Sequence, residues 1–313
     1  MRGKIDMDDV ERSARAPGLW AWLTTPVLLA GALLAVPLGA AFGIERGLVV
    51  AVVVVVVGVT IALLELWRPL VAEAPRRPGT MRHDALHMAG SALVSLACQA
   101  LFFGLFFQAA AALSGALGGA LWPVSVSWVV QLPLALLVAE LGSYSAHRLC
   151  HRFPLLWRIH ALHHSSPELY VLSSGRNHPF NVVATVLAQS APLVVLGAGP
   201  DLLAQLSVFT GACGLLQHAN LDLRHGALNI VLASAELHRW HHARDLGPSN
   251  SNFGNNLIVW DRLLGTYQAP SRAPAEQRLG LDDVSFPGSY WAHLASPFIL
   301  DRFARSASAD AAP

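Results

Sequence analysis

Apolar residues fall in blocks too long for the core of a soluble domain. Leu19–Phe42 and Gly47–Leu66 each supply the roughly 20 residues needed to cross about 30 Å of hydrocarbon at 1.5 Å per residue. The run Val49–Val57 would suit a buried strand taken alone. Its length, flanks and neighbouring span predict a helix in lipid, where backbone groups must bond within the segment. Met88–Ala139 contains no Asp, Glu, Lys or Arg. The Gly- and Pro-bearing stretch Ser114–Pro123 divides it into spans over Met88–Leu113 and Trp122–Leu141. A shorter apolar hairpin follows at Phe180–Gly199 and Leu202–Leu216, turning at Gly197–Asp201; it crosses fully or dips in as a re-entrant pair. After Asn220 the chain becomes polar and turn-rich, and the tail Ser306–Pro313 reads as frayed.

The predicted fold is an all-α integral membrane protein. About four transmembrane helices and the short hairpin carry a helical, histidine-rich di-metal domain at one face. The parts are an N-terminal tail (1–18), the spans (19–141), a histidine-rich region (142–270) enclosing hairpin 180–216, and a C-terminal segment (271–313). The first apolar run is longer than a signal-peptide core and is followed closely by a second, so it reads as an anchor.

Composition agrees. Of 313 residues, 54% are hydrophobic and 13% charged, against about 25% charged in ordinary soluble domains. A net charge of +1 argues against a nucleic-acid partner held by a basic field. The three cysteines, Cys98, Cys150 and Cys213, have no zinc-knuckle or redox spacing. Lys and Arg set the orientation. Arg2, Lys4, Arg12 and Arg15 precede span one, and Arg68, Arg76, Arg77 and Arg82 separate spans two and three; the opposite loops offer Arg46. The N-terminus and the histidine domain are therefore expected on the cytosolic side of a bacterial inner membrane or an ER-type membrane.

Fourteen histidines are the unusual feature. Three clusters stand out: His147 with His151; His160, His163 and His164; and His238, His241 and His242. Residues at i, i+3 and i+4 share a helix face, so HxxxH and HxxHH each aim imidazoles at a common point. Imidazole suits several transition metals. Eight to ten converging rings exceed what one ion accepts and imply two. His218 ends an apolar arm and is read as a ligand; His178 is a tenth candidate. His83 and His87 read as interfacial, His225 and His293 as surface residues. Glu140, Tyr144, His147 and His151 form one helical stripe. Glu140, costly near a span end without a partner, is expected to accept from a ligand's second ring N–H or from Tyr144. Glu140 and Tyr144 are the candidate catalytic residues beside the metals.

These motifs resemble the fatty acid hydroxylase/sterol desaturase superfamily of membrane di-iron oxygenases. They run, in the family's order and spacing, from Glu140 and Tyr144 through His147-Arg148…His151 and Leu156-Trp157…His160…His163-His164-Ser165-Ser166. They continue with Arg176-Asn177-His178-Pro179, Gln217-His218-Ala219-Asn220 and His238-Arg239-Trp240-His241-His242, and end with Asn252-Phe253-Gly254 and Trp260–Thr266. Departures are Leu264 for Phe, Ser251 and Glu140 where Asp is commoner, and Asp222 where some relatives place a histidine. That last change leaves an oxygen ligand or a site one ligand short. The resemblance implies two iron ions bridged by an oxo or hydroxo group, O2 as co-substrate, and hydroxylation or desaturation of a lipid C–H bond. The lipid is a sterol, fatty acyl chain or alkyl lipid. Electrons would come from an external reductase, ferredoxin or cytochrome b5-type donor, since no flavin, haem or ferredoxin motif is present. Asn252, Trp260 and Asp261 are expected to hold a cap over the site. The competing classes are a zinc-dependent membrane hydrolase, which would want HExxH or a carboxylate base, and a non-catalytic metal-binding membrane protein.

Overall fold

A computed structural model describes residues 17–71, 78–119, 121–271, 277–282 and 284–303. The N-terminal basic residues before position 17, Arg76, Arg77 and the tail Ser306–Pro313 lie outside them. The described chain is helical: α1 (Leu19–Ala41), α2 (Arg46–Trp67), α3 (Pro78–Leu117), α4 (Trp128–Arg152), α5 (Pro154–His164), α6 (Pro179–Leu196), α7 (Pro200–Gln217), α8 (Ala235–His241), α9 (Leu246–Ser249), α10 (Val259–Leu263) and α11 (Tyr290–Ile299). Extended pairing among the described residues is limited to isolated bridges such as Pro69 with Leu221.

Among the described residues five helices, α1–α4 and α6, are long and apolar enough to cross a membrane. Their outer faces carry a band of exposed apolar side chains, including Leu34, Val55, Leu93, Leu101 and Val130, as a lipid-facing surface requires. Pro26 and Pro37 sit inside α1 and Pro133 inside α4, which spans tolerate because neighbouring helices satisfy the freed carbonyls. Helix α1 turns into α2 through Gly43 at φ 68, and Glu45 caps α2 by accepting from Leu48 N at 2.9 Å.

The two hairpin arms have different surroundings. Helix α7 is buried on all sides, from Leu202 and Leu206 through Phe209 and Ala212 to Leu216, and packs against α1, α2 and α4. A helix enclosed by protein need not be uniformly apolar, so α7 carries Gln205, Thr210 and two glycines. Gln189 of α6 donates to Thr210 Oγ1 at 2.7 Å, joining the arms. On its other side α6 lies so close to α4 that a Cβ on Gly142 would run into the Ala188 carbonyl.

Two span limits differ from the hydropathy reading. The fourth helix starts at Trp128 rather than Trp122, because Ser127 caps it and Trp122 turns aside to donate Nε1–H to Gln131 Oε1 at 2.8 Å. The third starts at Pro78 rather than Met88. At 1.5 Å per residue its 40 residues measure about 60 Å, twice the hydrocarbon thickness. Its charged first turns therefore project beyond the apolar layer into the cap. The cap gathers α5, a 3-10 turn at Val171–Gly175, α8–α10 and the loop 251–257 at the end of α4 and α7, with α11 packed on α5.

Candidate metal centre

Each ligand-bearing element is held by its own local chemistry. Helix α4 runs unbroken from apolar Val129 to Arg152, carrying His147 and His151 into the cap. Pro154 opens α5 at its first position, where its missing N–H costs nothing. Ser234 caps α8 by accepting from Leu237 N. His218 is the C-cap of α7.

Nine of the ten candidate histidines converge, in two groups. His147, His151, His160, His164 and His241 form one; His163, His218, His238 and His242 form the other; within each, one nitrogen per residue lies within 4.8 Å of all the rest. Both HxxHH motifs are shared out. On α5 the i, i+4 pair His160 and His164 joins the first group and His163 the second. On α8 the pair His238 and His242 joins the second and His241 the first. The His164 and His242 rings stack at 4.3 Å between centroids, dividing the groups.

The Nε2 atoms point inward. His241 and His147 approach to 3.0 Å, His151 and His160 each to 3.1 Å from His164, His218 and His238 to 3.0 Å, and His242 to 3.2 Å from His163 and 3.1 Å from His238. Tautomers decide whether these are hydrogen bonds. His147 Nδ1 faces Phe253 O at 2.8 Å and His241 Nδ1 faces Ser251 O at 2.7 Å. A carbonyl only accepts, so both Nδ1 atoms carry the proton and both Nε2 atoms present bare lone pairs. Two lone pairs 3.0 Å apart repel unless a cation lies between them. Two nitrogens about 2.1 Å from one ion and at right angles would be about 3.0 Å apart. The donor set therefore fits a transition-metal ion.

Further partners fix further rings. Asn181 donates to Asn177 Oδ1, so its own Oδ1 accepts from His160 Nδ1 at 3.2 Å. Ser173 Oγ donates to Tyr170 O and so accepts from His218 Nδ1 at 3.1 Å. Such outer bonds set tautomer and ring angle in metal sites. Burial, followed by neighbouring imidazoles, lowers the pKa of His160, His164, His218, His238, His241 and His242, and that of His163 to about 3. Neutral imidazole is the form that binds metal.

The other expectations fare differently. His178 joins neither group: its Nδ1 accepts from Phe180 N at 3.2 Å as the N-cap of α6, and its Nε2 donates to Leu294 O at 3.0 Å. Asp222 pairs with Arg224 at 2.9 Å, so the second group stays one ligand shorter than the first. Glu140 meets neither a ligand nor Tyr144. Its carboxylate is fully buried and accepts from Asn255 N at 2.6 Å and Asn256 N at 2.8 Å. Tyr144 shares a 3.0 Å hydrogen bond with Thr266 Oγ1 and accepts from Arg148 at 3.1 Å. Glu140 braces the loop 251–257 and Tyr144 ties α4 to Thr266, its ring edge-on to Phe253 at 6.2 Å; neither lines the inward-facing nitrogens. Asp261 accepts from Phe253 N and Gly254 N at 2.8 Å each. Asn252, at φ 54, bonds Gln268 through both ends of its amide. Trp260 donates to Leu137 O at 3.0 Å. The loop so held presents the two carbonyls that orient His147 and His241, so Glu140 acts on these imidazoles through the loop.

His87, His225 and His293 are buried, not interfacial or superficial. His87 and His293 lie 3.1 Å apart, His293 donates to Pro287 O at 2.7 Å, and His225 bonds Thr25 Oγ1 at 3.0 Å. Phe253 went unassigned in the sequence. Its ring packs on His147, His151 and His241 at 5.2–5.7 Å, while Trp157 walls the other side of His151 at 5.1 Å. Its place in Asn252-Phe253-Gly254 was the one available signal. Ser173 and Asn181 had none.

Comparison with known proteins matches the same stretch of chain. The fatty acid hydroxylase family model matches residues 132–266, which hold every member of both groups. Ornithine lipid hydroxylase OlsE of Rhizobium tropici is 40% identical over 177 residues, 56% of this chain and 53% of that protein. Alkylglycerol monooxygenase is 32% identical over 138 residues in Danio rerio and 29% over 135 residues in Homo sapiens. Those two matches cover 44% and 43% of this chain. The chain thus spans about half the length of the first relative and 30% of the other two. No solved structure matches. The family resemblance carried by the motifs is borne out for the histidine-bearing region.

Proposed function

We propose that this chain, with residues 132–266 matching the fatty acid hydroxylase family, is a membrane oxidoreductase that hydroxylates a lipid C–H bond using O2 and two iron ions. The observation that supports it most is the pair of inward lone pairs on His147 and His241 at 3.0 Å, set within two all-histidine groups. Five and four neutral nitrogens would hold the two ions and, six ligands being the usual octahedral limit, would not fill them. When bound, the metals would supply activation of O2.

The chain's own residues would hold, dry and insulate that centre. Phe253 O and Ser251 O keep protons on the outer nitrogens of His147 and His241. Phe253 and Trp157 exclude water from the first group. Helix α4 runs from the exposed, apolar Val129 and Val130 to His147, so the centre would be built directly on a lipid-facing span. Hydroxylation consumes R–H, O2, two electrons and two protons, and yields R–OH and water. The two electrons require an external donor of the reductase, ferredoxin or cytochrome b5 type. Desaturation would use the same parts. Sterols, acyl chains and alkyl lipids all present such a C–H bond, and both sets of relatives bear the names of lipid enzymes.

A zinc hydrolase is less well supported. Among the described residues neither histidine group contains a carboxylate, and both Glu140 oxygens accept from backbone N–H groups, which leaves Glu140 poorly placed as a general base. Metal analysis of the purified chain tests the proposal: two irons per chain are expected, and a constant single zinc without iron would overturn it. Lipid profiles of cells with and without the gene should then differ by one added hydroxyl.

A further inference from the structure

The second histidine group depends on a carboxylate far from it in sequence and outside the family-matched region. Glu65 lies near the end of the apolar helix α2, yet is 2% exposed. An ionisable residue in such a helix is costly and calls for a partner. Its Oε1 accepts from Val171 N and Asn220 N, each at 2.8 Å. Val171 opens the 3-10 turn whose Ser173 accepts from His218 Nδ1. Asn220 lies two residues past His218. One oxygen atom therefore fixes both the hydroxyl that orients this imidazole and the backbone that leaves it.

The residues after Glu65 extend the clamp. Leu70 N donates to Asn220 O at 2.9 Å, Val71 N to Asn220 Oδ1 at 3.0 Å, and Asn220 Nδ2 to Val71 O at 3.1 Å. Glu65 is also the negative charge favouring the guanidinium of Arg239, which is buried beside His238 and has no hydrogen-bond partner for Nη2. His218 is the one member of its group that does not come from α5, α8 or the residue capping α8. The first group is braced separately, by Glu140 and Asp261 through the loop 251–257.

We infer that Glu65 is a positioning residue for the second metal position, holding His218 in place by accepting the Val171 and Asn220 N–H groups. This rests on the two-metal reading above. The test is total transition metal per chain, by elemental mass spectrometry on the purified full-length protein, with thermal unfolding recorded in parallel. Glu65→Ala should fall from two metals to about one. Glu65→Asp, which keeps the charge opposite Arg239 but is one methylene too short, should do the same. Glu65→Gln should keep both, because an amide oxygen also accepts two N–H groups. Two metals retained in the Ala or Asp variant would overturn the inference. So would joint loss of both metals, failure of both variants to fold, or a Gln variant as depleted as the Ala variant. A wild-type chain with fewer than two metals would instead sink the two-metal reading.

Discussion

Burial imposes on the cap imidazoles the protonation state a metal needs, and it makes their stability depend on pH. Without metal, His163 titrates near 3 in the fold and near 6.5 when unfolded. Between those values the unfolded chain binds more protons, so stability is intact above about 6.5 and is lost as pH falls towards 3. The other cap ligands shift in the same direction and add to the slope. The metal-free protein should therefore unfold at progressively lower temperature from pH 7 to pH 5, which differential scanning fluorimetry would follow. A midpoint constant over that range would contradict burial as the dominant force. At this scale the converging histidines were legible, because i, i+3, i+4 spacing is local. The true partners of His178, Glu140 and His293 were not. Glu140 meets Asn255 across 115 residues and His293 meets His87 across 206, and no local pattern encodes such contacts.

Spans are legible at the scale of elements because lipid demands a continuous apolar run, whereas helix ends answer to single residues. Ser127 displaced the start of α4, and no breaker stopped α3 from continuing outward to Pro78. Close approach between helices is equally hidden until the fold is known. Helices α4 and α6 touch at Gly142, where a methyl group would collide with the Ala188 carbonyl. Overpacking of this kind typically costs about 1–3 kcal/mol. Gly142→Ala should lower the unfolding midpoint and, by shifting α4, reduce retention of metal by the first group more than by the second. Unchanged stability and metal content would show that the helices part freely.

The whole molecule sorts into a lipid-facing bundle and one polar cap, as the apolar blocks and histidine clusters predicted. The basic loops predict an orientation that would put the cap in the cytosol. The native cysteines are all buried, so single introduced thiols report cleanly. Gly247→Cys in the cap should react with a membrane-impermeant maleimide only from the cytosolic side, and Ile44→Cys in the α1–α2 turn only from the opposite side. The reverse pattern would invert the topology.

Sharing α5 and α8 between the two histidine groups has a consequence for biosynthesis. A nascent chain that has emerged only as far as Gln217 owns four members of the first set and one of the second. Neither set can close until the last motif leaves the ribosome, by which time all five helices long and apolar enough to span, and the α6–α7 hairpin, have been made. Any metal loading would thereby wait for a molecule whose spanning helices have all been synthesised.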